Sequence, residues 1–422
     1  MSATDRGSGR HHFRGDAAPA SPMLGHGHGH GHGPAPPASR QVRMLLVAVL
    51  VPVALATLVG LWLTWPGEAP RSGVDIGFGQ RPVHGEVLAA SGAPCSSGSA
   101  GAGEANECIS LDVRLTDGDS PGVTIQQVLP DEPSTPRFTV GDQVVLAYTG
   151  GNPSDSGSYQ VQDFQRGTSL LWLATLFTAA VLLLGRWKGL ASLTALGFSF
   201  LVLVVYLFPA ILAGADPVIV GVLAASVIMF GVLYLSHGVS ARTSSAVLGT
   251  VLSLALIGAL GTAFSAATQL TGLDDDTGNL IRVLGHGVDA RGLLLAGMII
   301  GALGVLDDVT VTQTSAVWEL HRANPALGTR ALYTSALRIG RDHISSAVNT
   351  LALAYAGAAL PVLLTFSLSG QSFGTLITAQ NVAQEVVRTL VGSIGLVAAV
   401  PITTAIAAVV ARRDEVDSAT QE

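Results

Sequence analysis

Asp307 and Asp308 stand side by side in an otherwise apolar run, Gly301-Ala-Leu-Gly-Val-Leu-Asp-Asp-Val-Thr-Val-Thr-Gln313. Ionisable groups near membrane depth are expensive, so each is a candidate site. On a helix Asp308 and Thr312 share one face and Asp307 and Thr310 another, so one carboxylate can face a cavity while the other faces solvent or a cap. With Gln313 they offer the oxygen ligands of a cation or proton site. The competing reading is an ordinary pair of acids ending a helix at the interface. A second polar group follows at Arg338, Gly340, Arg341, Asp342 and His343, with Asn349 two turns further on. Arg338 and Asp342 have pairing spacing. Arg341 could instead neutralise Asp307 or Asp308, and His343 titrates near neutrality and could relay protons. A third group is Glu385 with Arg388, also spaced to pair.

These groups need a membrane around them to carry meaning, and composition supplies it. The chain is 49% hydrophobic and 12% charged, with a mean hydropathy of +0.50. That excludes a purely soluble protein, and the net charge of −7 argues against a nucleic-acid partner. Eight runs approach the roughly 20 apolar residues a bilayer requires: Met44–Trp65, Leu170–Leu184, Leu190–Leu212, Val218–Leu235, Ala246–Thr268, Gly292–Leu306, Ile344–Leu368 and Leu390–Ala411. Between the sixth and seventh, residues 309–343 read as a cytoplasmic amphipathic segment, with Asn324–Pro325 starting its second helix. Basic residues cluster at Arg40 and Arg43, Arg186 and Lys188, Arg242, Arg330 to Arg341, and Arg412 and Arg413. By the positive-inside rule both termini are cytoplasmic. Pro361 and Pro401 fall within the last two runs and permit kinks.

Residues 66–168 differ in character and read as an extracytoplasmic all-β domain. Its expected strands are Val83–Ala89, Ile109–Leu115, Gly122–Val128, Phe138–Ala147 and Tyr159–Phe164, with a turn or bulge at Gly141–Asp142. Five short strands suggest a small barrel of the oligonucleotide/oligosaccharide-binding kind. The only cysteines, Cys95 and Cys108, lie here, and an oxidising outer compartment makes a disulfide the natural reading over a two-ligand metal site. Asp274, Asp275 and Asp276 read as a solvated acidic loop, without the ordered spacing of a calcium loop.

The first 43 residues form a Gly, Pro and His-rich tail, expected to be a disordered cytoplasmic segment. His26, His28, His30 and His32 alternate with glycine there and could hold zinc, nickel or copper weakly, though without fixed geometry. The last residues, 412–422, form a short cytoplasmic tail.

The fold class expected is therefore an α-helical polytopic membrane protein of about 8 spans, with 169–411 as a seven-helix domain. No phosphate-binding Gly-rich loop, zinc-protease helix or nucleophile elbow is present, so neither an ATPase nor a recognisable enzyme is expected, and no cofactor. The leading function is a transporter or permease coupled to protons or cations. The alternative is a scaffold or accessory subunit whose outer domain recruits an envelope protein. The partners expected are the lipid bilayer and a small solute or ion.

Several runs taken together resemble the YibE/F family of bacterial membrane proteins. They are Gly301 to Gln313, Gly340-Arg-Asp-His343 leading to Asn349-Thr-Leu-Ala-Leu-Ala-Tyr-Ala-Gly357, Glu385-Val-Val-Arg388 with Gly392-Ser-Ile-Gly395, Val140-Gly-Asp142 and Arg186-Trp-Lys-Gly189. The resemblance covers about residues 80–411. It implies a multi-pass protein of the bacterial plasma membrane with an outer soluble domain. It brings no reaction and no catalytic residues to transfer.

Overall fold

The computed structural model describes residues 39–67, 80–95, 107–274, 277–279, 281, 288–368, 370 and 372–419. The N-terminal helix α1 (Arg40–Leu63) begins where Ser39 Oγ accepts from Val42 N, a side-chain cap that stops the chain from fraying into the preceding tail. Five strands follow: β1 (Arg81–Ala93), β2 (Cys108–Leu115), β3 (Thr124–Pro130), β4 (Gln143–Tyr148) and β5 (Tyr159–Phe164). All pair antiparallel in the order β3-β2-β1-β4-β5. The first three strands form a meander and the fourth returns beside the first, which is the Greek-key course. The free edge of β3 meets the short turn Ser156–Ser158 that leads into β5, where Gln126 N and Gln127 Nε2 donate to Ser156 Oγ and Ser156 O. The sheet is thus a half-barrel, as five short strands suggested.

Alternation along β2 drives this packing. Leu111, Val113 and Leu115 are buried with Val83, Val87, Ile125, Val144 and Leu146, while Arg114 projects outward to Glu86. The expected fourth strand is shorter than its apolar run. Gly141 takes a left-handed conformation (φ 96°), and Asp142 Oδ2 accepts from both the Thr139 N–H and the Thr139 hydroxyl, so a turn precedes β4. Phe138 still reaches the core and tilts against Phe164 at 4.6 Å. Cys95 and Cys108 are joined as a disulfide.

One hydrogen-bonded carboxylate in this domain has a pH consequence. Partial burial works against the Asp117 carboxylate, but hydrogen bonds from the His84 ring and backbone N–H outweigh it and hold its pKa below 3.8. A depressed carboxylate stabilises the folded state above its unfolded pKa and ceases to do so as pH falls through the folded value. Amide protection in β1 should therefore drop on acidification below about pH 4, and Asp117→Asn should remove that component. Hydrogen exchange on the intact protein checks this; an identical acid response in the variant would contradict it.

The helices are α2 (Gly167–Val202, continuing through a π turn Leu203–Leu207), α3 (Phe208–Leu212), α4 (Pro217–His237), α5 (Ala241–Ala267), α6 (Ala290–Ala323), α7 (Thr329–Ala358), α8 (Leu360–Leu368), α9 (Phe373–Thr378) and α10 (Gln380–Ala419). Among the described residues six helical stretches are long and apolar enough to cross a membrane: 40–63, 167–212, 217–237, 241–267, 290–323 and 380–413. Their outward side chains are apolar too: Trp62, Leu171, Trp172, Leu183, Leu184 and Trp187 are all exposed. Only lipid is a suitable solvent for such a belt.

The stretch 167–212 contains two of the expected spans. Arg186 leaves helical geometry (φ 49°, ψ −127°). Gly189 lies so close to Val181 that a Cβ would strike the Val181 carbonyl oxygen. In a straight helix those residues are about 12 Å apart, so the chain folds back at Arg186-Trp-Lys.

The expected span Ile344–Leu368 differs. It is divided between the second half of α7 and the short α8, with the break at Ala359 before Pro361, and neither piece ranks among the six. Proline restricts the preceding residue and cannot donate, which interrupts the helix there. The amphipathic segment expected at 309–343 is also not a separate unit. Helix α6 runs unbroken through Asp307 and Asp308 to Ala323, and α7 starts at Thr329. Asn324 Oδ1 accepts from Ala326 N, closing a turn instead of capping a helix at Pro325.

Helices α5, α6 and α10 pack against each other at the centre, with α4 on α6 and α7 on both α10 and α6. A buried polar layer crosses this centre: Thr250, Ser253, Thr310, Gln313, Thr314, Thr403 and Thr404. Small hydroxylated residues let helices approach closely and bond across the gap. Thr250 and Thr310 do so at 2.9 Å.

Candidate functional site

The position of Asp307 and Asp308 midway along α6 decides what they can do. Adjacent residues on a helix point about 100° apart, and the two carboxylates separate accordingly. Asp308 lines a cavity of about 350 Å³ between α6, α7 and α10. Val305, Val309, Thr312 and Gln313 complete its α6 wall, each three or four residues from another member of that wall, which places them along one side of the helix. From α7 come His343, Ser346, Ala347, Thr350, Leu351 and Ala354, and from α10 Leu396 and Val400. The Gln313 amide closes one end, donating through Nε2 to the Ala336 carbonyl at 2.9 Å. That contact requires Gly340: a Cβ there would lie 2.6 Å from Gln313 Oε1 and 2.5 Å from Val400 Cγ1.

Asp307 sits on a different face, beside the polar layer. Its Oδ1 is buried and makes no hydrogen bond among the described residues. Thr310, its partner by spacing, bonds back to the Asp307 carbonyl at 3.3 Å and across to Thr250. Thr310 is completely buried and takes no part in the cavity wall.

The group before the expected seventh span divides the same way. His343 and Asp308, both exposed at the cavity, line it from α7 and α6, whereas Arg341, Asp342 and Asn349, exposed as well, do not line it. Among the described residues Arg341 forms no ion pair with Asp307 or Asp308, and Arg338 forms none with Asp342. The reason is rotational. The cavity face of α7 runs through Gly340, His343, Ala347, Leu351 and Ala354, and residues 341, 342 and 349 fall off that stripe. Thr350 and Ser346 belong to the wall but carry no charge to mark them in the sequence. Counting by three and four from His343 finds both.

A second cavity of about 650 Å³ lies between α7, α8 and α10. Glu385 and Arg388 form their expected pair there at 2.6 Å, about three-quarters buried. Asp274, Asn381, Gln384 and Tyr355 add polar groups to an otherwise aliphatic lining. Gln384 is 3% exposed, and its amide Nε2 makes no hydrogen bond among the described residues.

Chemically, the first cavity offers one carboxylate, one imidazole and two threonine hydroxyls, all exposed, against an aliphatic wall between three helices. Such a set can hold a small cation or pass a proton between Asp308 and His343. It lacks a positioned nucleophile with an orienting base. Among the described residues no cluster of three or more His, Cys, Asp or Glu could hold a metal ion. His26, His28, His30 and His32 lie outside the described residues.

No curated protein and no solved structure matches the chain significantly. A family match does exist, and it begins at Leu173, so the β domain with Val140-Gly-Asp142 lies outside it. Residues 173–413, more than half of the chain and including every residue that lines these two cavities, match the family described as YibE/F-like protein, and the chain belongs to that family.

Proposed function

We propose that this protein is a transporter of the bacterial plasma membrane, with both termini cytoplasmic, which moves a small solute or ion and couples that movement to a cation or proton bound at Asp308. One observation carries the reading. A carboxylate in the middle of an apolar 34-residue helix lines a largely aliphatic cavity whose polar groups also include His343, Thr312 and Thr350. Asp308 is itself exposed at this cavity, but no helix terminus lies beside it, since the helix continues for four more turns. Ionisable groups placed this way in membrane helices belong to ion pathways and proton relays.

Asp308 is the binding carboxylate in this reading, His343 its proton partner, and Thr312 and Thr350 supply neutral oxygens. Arg341 and Asn349, off the cavity wall, have no part in it.

The experiment is flux in proteoliposomes under imposed proton, sodium or potassium gradients, followed with an internal ion-sensitive dye. Wild type should dissipate at least one gradient, and Asp308→Asn should fall to the level of empty liposomes. Wild-type flux retained in the variant would remove Asp308 from the mechanism and favour the scaffold reading, in which the β domain recruits an envelope partner.

A further inference from the structure

The two polar cavities share one helix–helix seam. On α7 the Asp308 cavity ends at Leu351 and Ala354, and the Glu385 cavity begins at Ala352 and Tyr355. On α10 the Glu385 cavity ends at Leu390, and the Asp308 cavity begins at Leu396. Between them stand Leu351, Val391 and Leu396, all buried. Leu351 rests on the bare backbone of Gly392, where a Cβ would be 3.6 Å from Leu351 Cδ2. At the same level the Tyr355 hydroxyl reaches α6, 3.0 Å from where a Cβ on Gly301 would sit. So a thin barrier of buried apolar side chains stands between two cavities that succeed one another along α7 and α10.

Charge gives the class of solute. The Glu385 cavity carries Asp274 and Glu385 against Arg388, one net negative charge. Asp308 is the one carboxylate on the other cavity's wall. The Gln384 amide, with no hydrogen bond holding its nitrogen, can turn its oxygen into the Glu385 cavity.

We infer that the two cavities are successive chambers of one route for a small cation, divided by a septum of Leu351, Val391 and Leu396. This rests on the transport reading and adds to it a second site, at Glu385 and Asp274, and a cationic permeant. A septum between two wet chambers lets each open to one side of the membrane without a continuous pore.

Cysteine chemistry tests it cleanly, because the chain's two native cysteines are joined as a disulfide. Ala347→Cys places a thiol in the Asp308 chamber and Ala358→Cys in the other, roughly three turns or about 16 Å apart along α7. A membrane-impermeant trimethylammonium thiosulfonate, applied to right-side-out and inverted vesicles, should modify each thiol from one face only, and from opposite faces. Leu351→Ala, or Leu396→Ala should the first not fold, should make Ala347→Cys reactive from both faces. Modification of both thiols from the same face, of either from neither face, or unchanged sidedness in a folded septum variant would overturn the septum.

For the permeant's charge, the trimethylammonium reagent should outpace a sulfonate analogue at Ala358→Cys several-fold, and Glu385→Gln should abolish the difference. Equal rates in the Glu385 background would overturn the cation assignment. Loss of the Asp308 coupling role would leave the sidedness pattern unaffected, so the two failures are distinguishable.

Discussion

Gly189→Ala destabilises this protein by more than about 3 kcal/mol, while Gly185→Ala, four residues earlier in the same bend, is neutral or stabilising. The usual effect of this exchange in a helix is a gain of about 1 kcal/mol, because alanine has less backbone entropy to lose. At Gly185 a Cβ meets nothing within 4 Å, so the ordinary sign should hold. At Gly189 the Cβ would strike the Val181 carbonyl oxygen, and a backbone atom cannot rotate aside as a side chain can. The two arms around Arg186 would have to separate, and both are exposed to lipid on much of their surface, so little else holds them together. Thermal unfolding of both variants in detergent decides the matter. Equal melting behaviour would mean that the fold-back at Arg186 is not the arrangement in the membrane.

Asp307→Leu should raise stability by about 1–3 kcal/mol, an unusual direction for a substitution in a packed region. The Asp307 carboxyl has a buried oxygen without a hydrogen bond among the described residues, in a helix whose neighbours are Leu306, Leu303 and Thr310. An unsatisfied buried polar group carries a desolvation penalty that an apolar side chain of similar size does not. The same exchange at Asp308 should change stability little, since that carboxylate is exposed at a cavity. Melting temperatures of Asp307→Leu and Asp308→Leu against wild type provide the check. Destabilisation by Asp307→Leu would show that the carboxyl is satisfied in the membrane, by a bound cation or an acquired proton, and that outcome would move it into the site. A polar group retained against stability is what a functional position in a membrane helix is expected to show.

Much of this architecture was legible residue by residue. The alternation Ile109, Leu111, Val113, Leu115 places β2 to within a residue, and the Gly141–Asp142 turn ends where its chemistry demands. Cys95 and Cys108 pair as their compartment suggested. The fold-back between Leu184 and Leu190 follows from one short polar break, Arg186-Trp-Lys-Gly, between two apolar runs. Each of these is a local property, set by side chains within a few residues of each other.

The helix through Asp307 shows where local reading ends. Two adjacent acids followed by threonines look like the end of a span, yet α6 carries on to Ala323 because Gln313 and Thr314 are buried against neighbouring helices, with Gln313 bonding into α7. Sequence spacing correctly separated Asp308 with Thr312 from Asp307 with Thr310. It did not say which pair would face the cavity, because that depends on where α7 and α10 pack. Arg341 and His343 illustrate the same point on α7. They lie within three residues of each other, at the same depth, but only His343 is on the stripe that Gly340 brings against Gln313 and Val400.

By itself, then, the sequence determined the apolar helices, the β half-barrel with its disulfide, and which polar residues stand near membrane depth. Those follow from hydrophobic periodicity and turn chemistry, which act along the chain. The tertiary structure alone decided that Asp308 and His343 share a cavity, that Asp307 is set apart, and that Glu385 lines a second cavity further along the same helices. Rotation of each helix about its axis is set by close packing with helices distant in sequence, at positions such as Gly340 and Gly392, and no run of neighbouring residues encodes it.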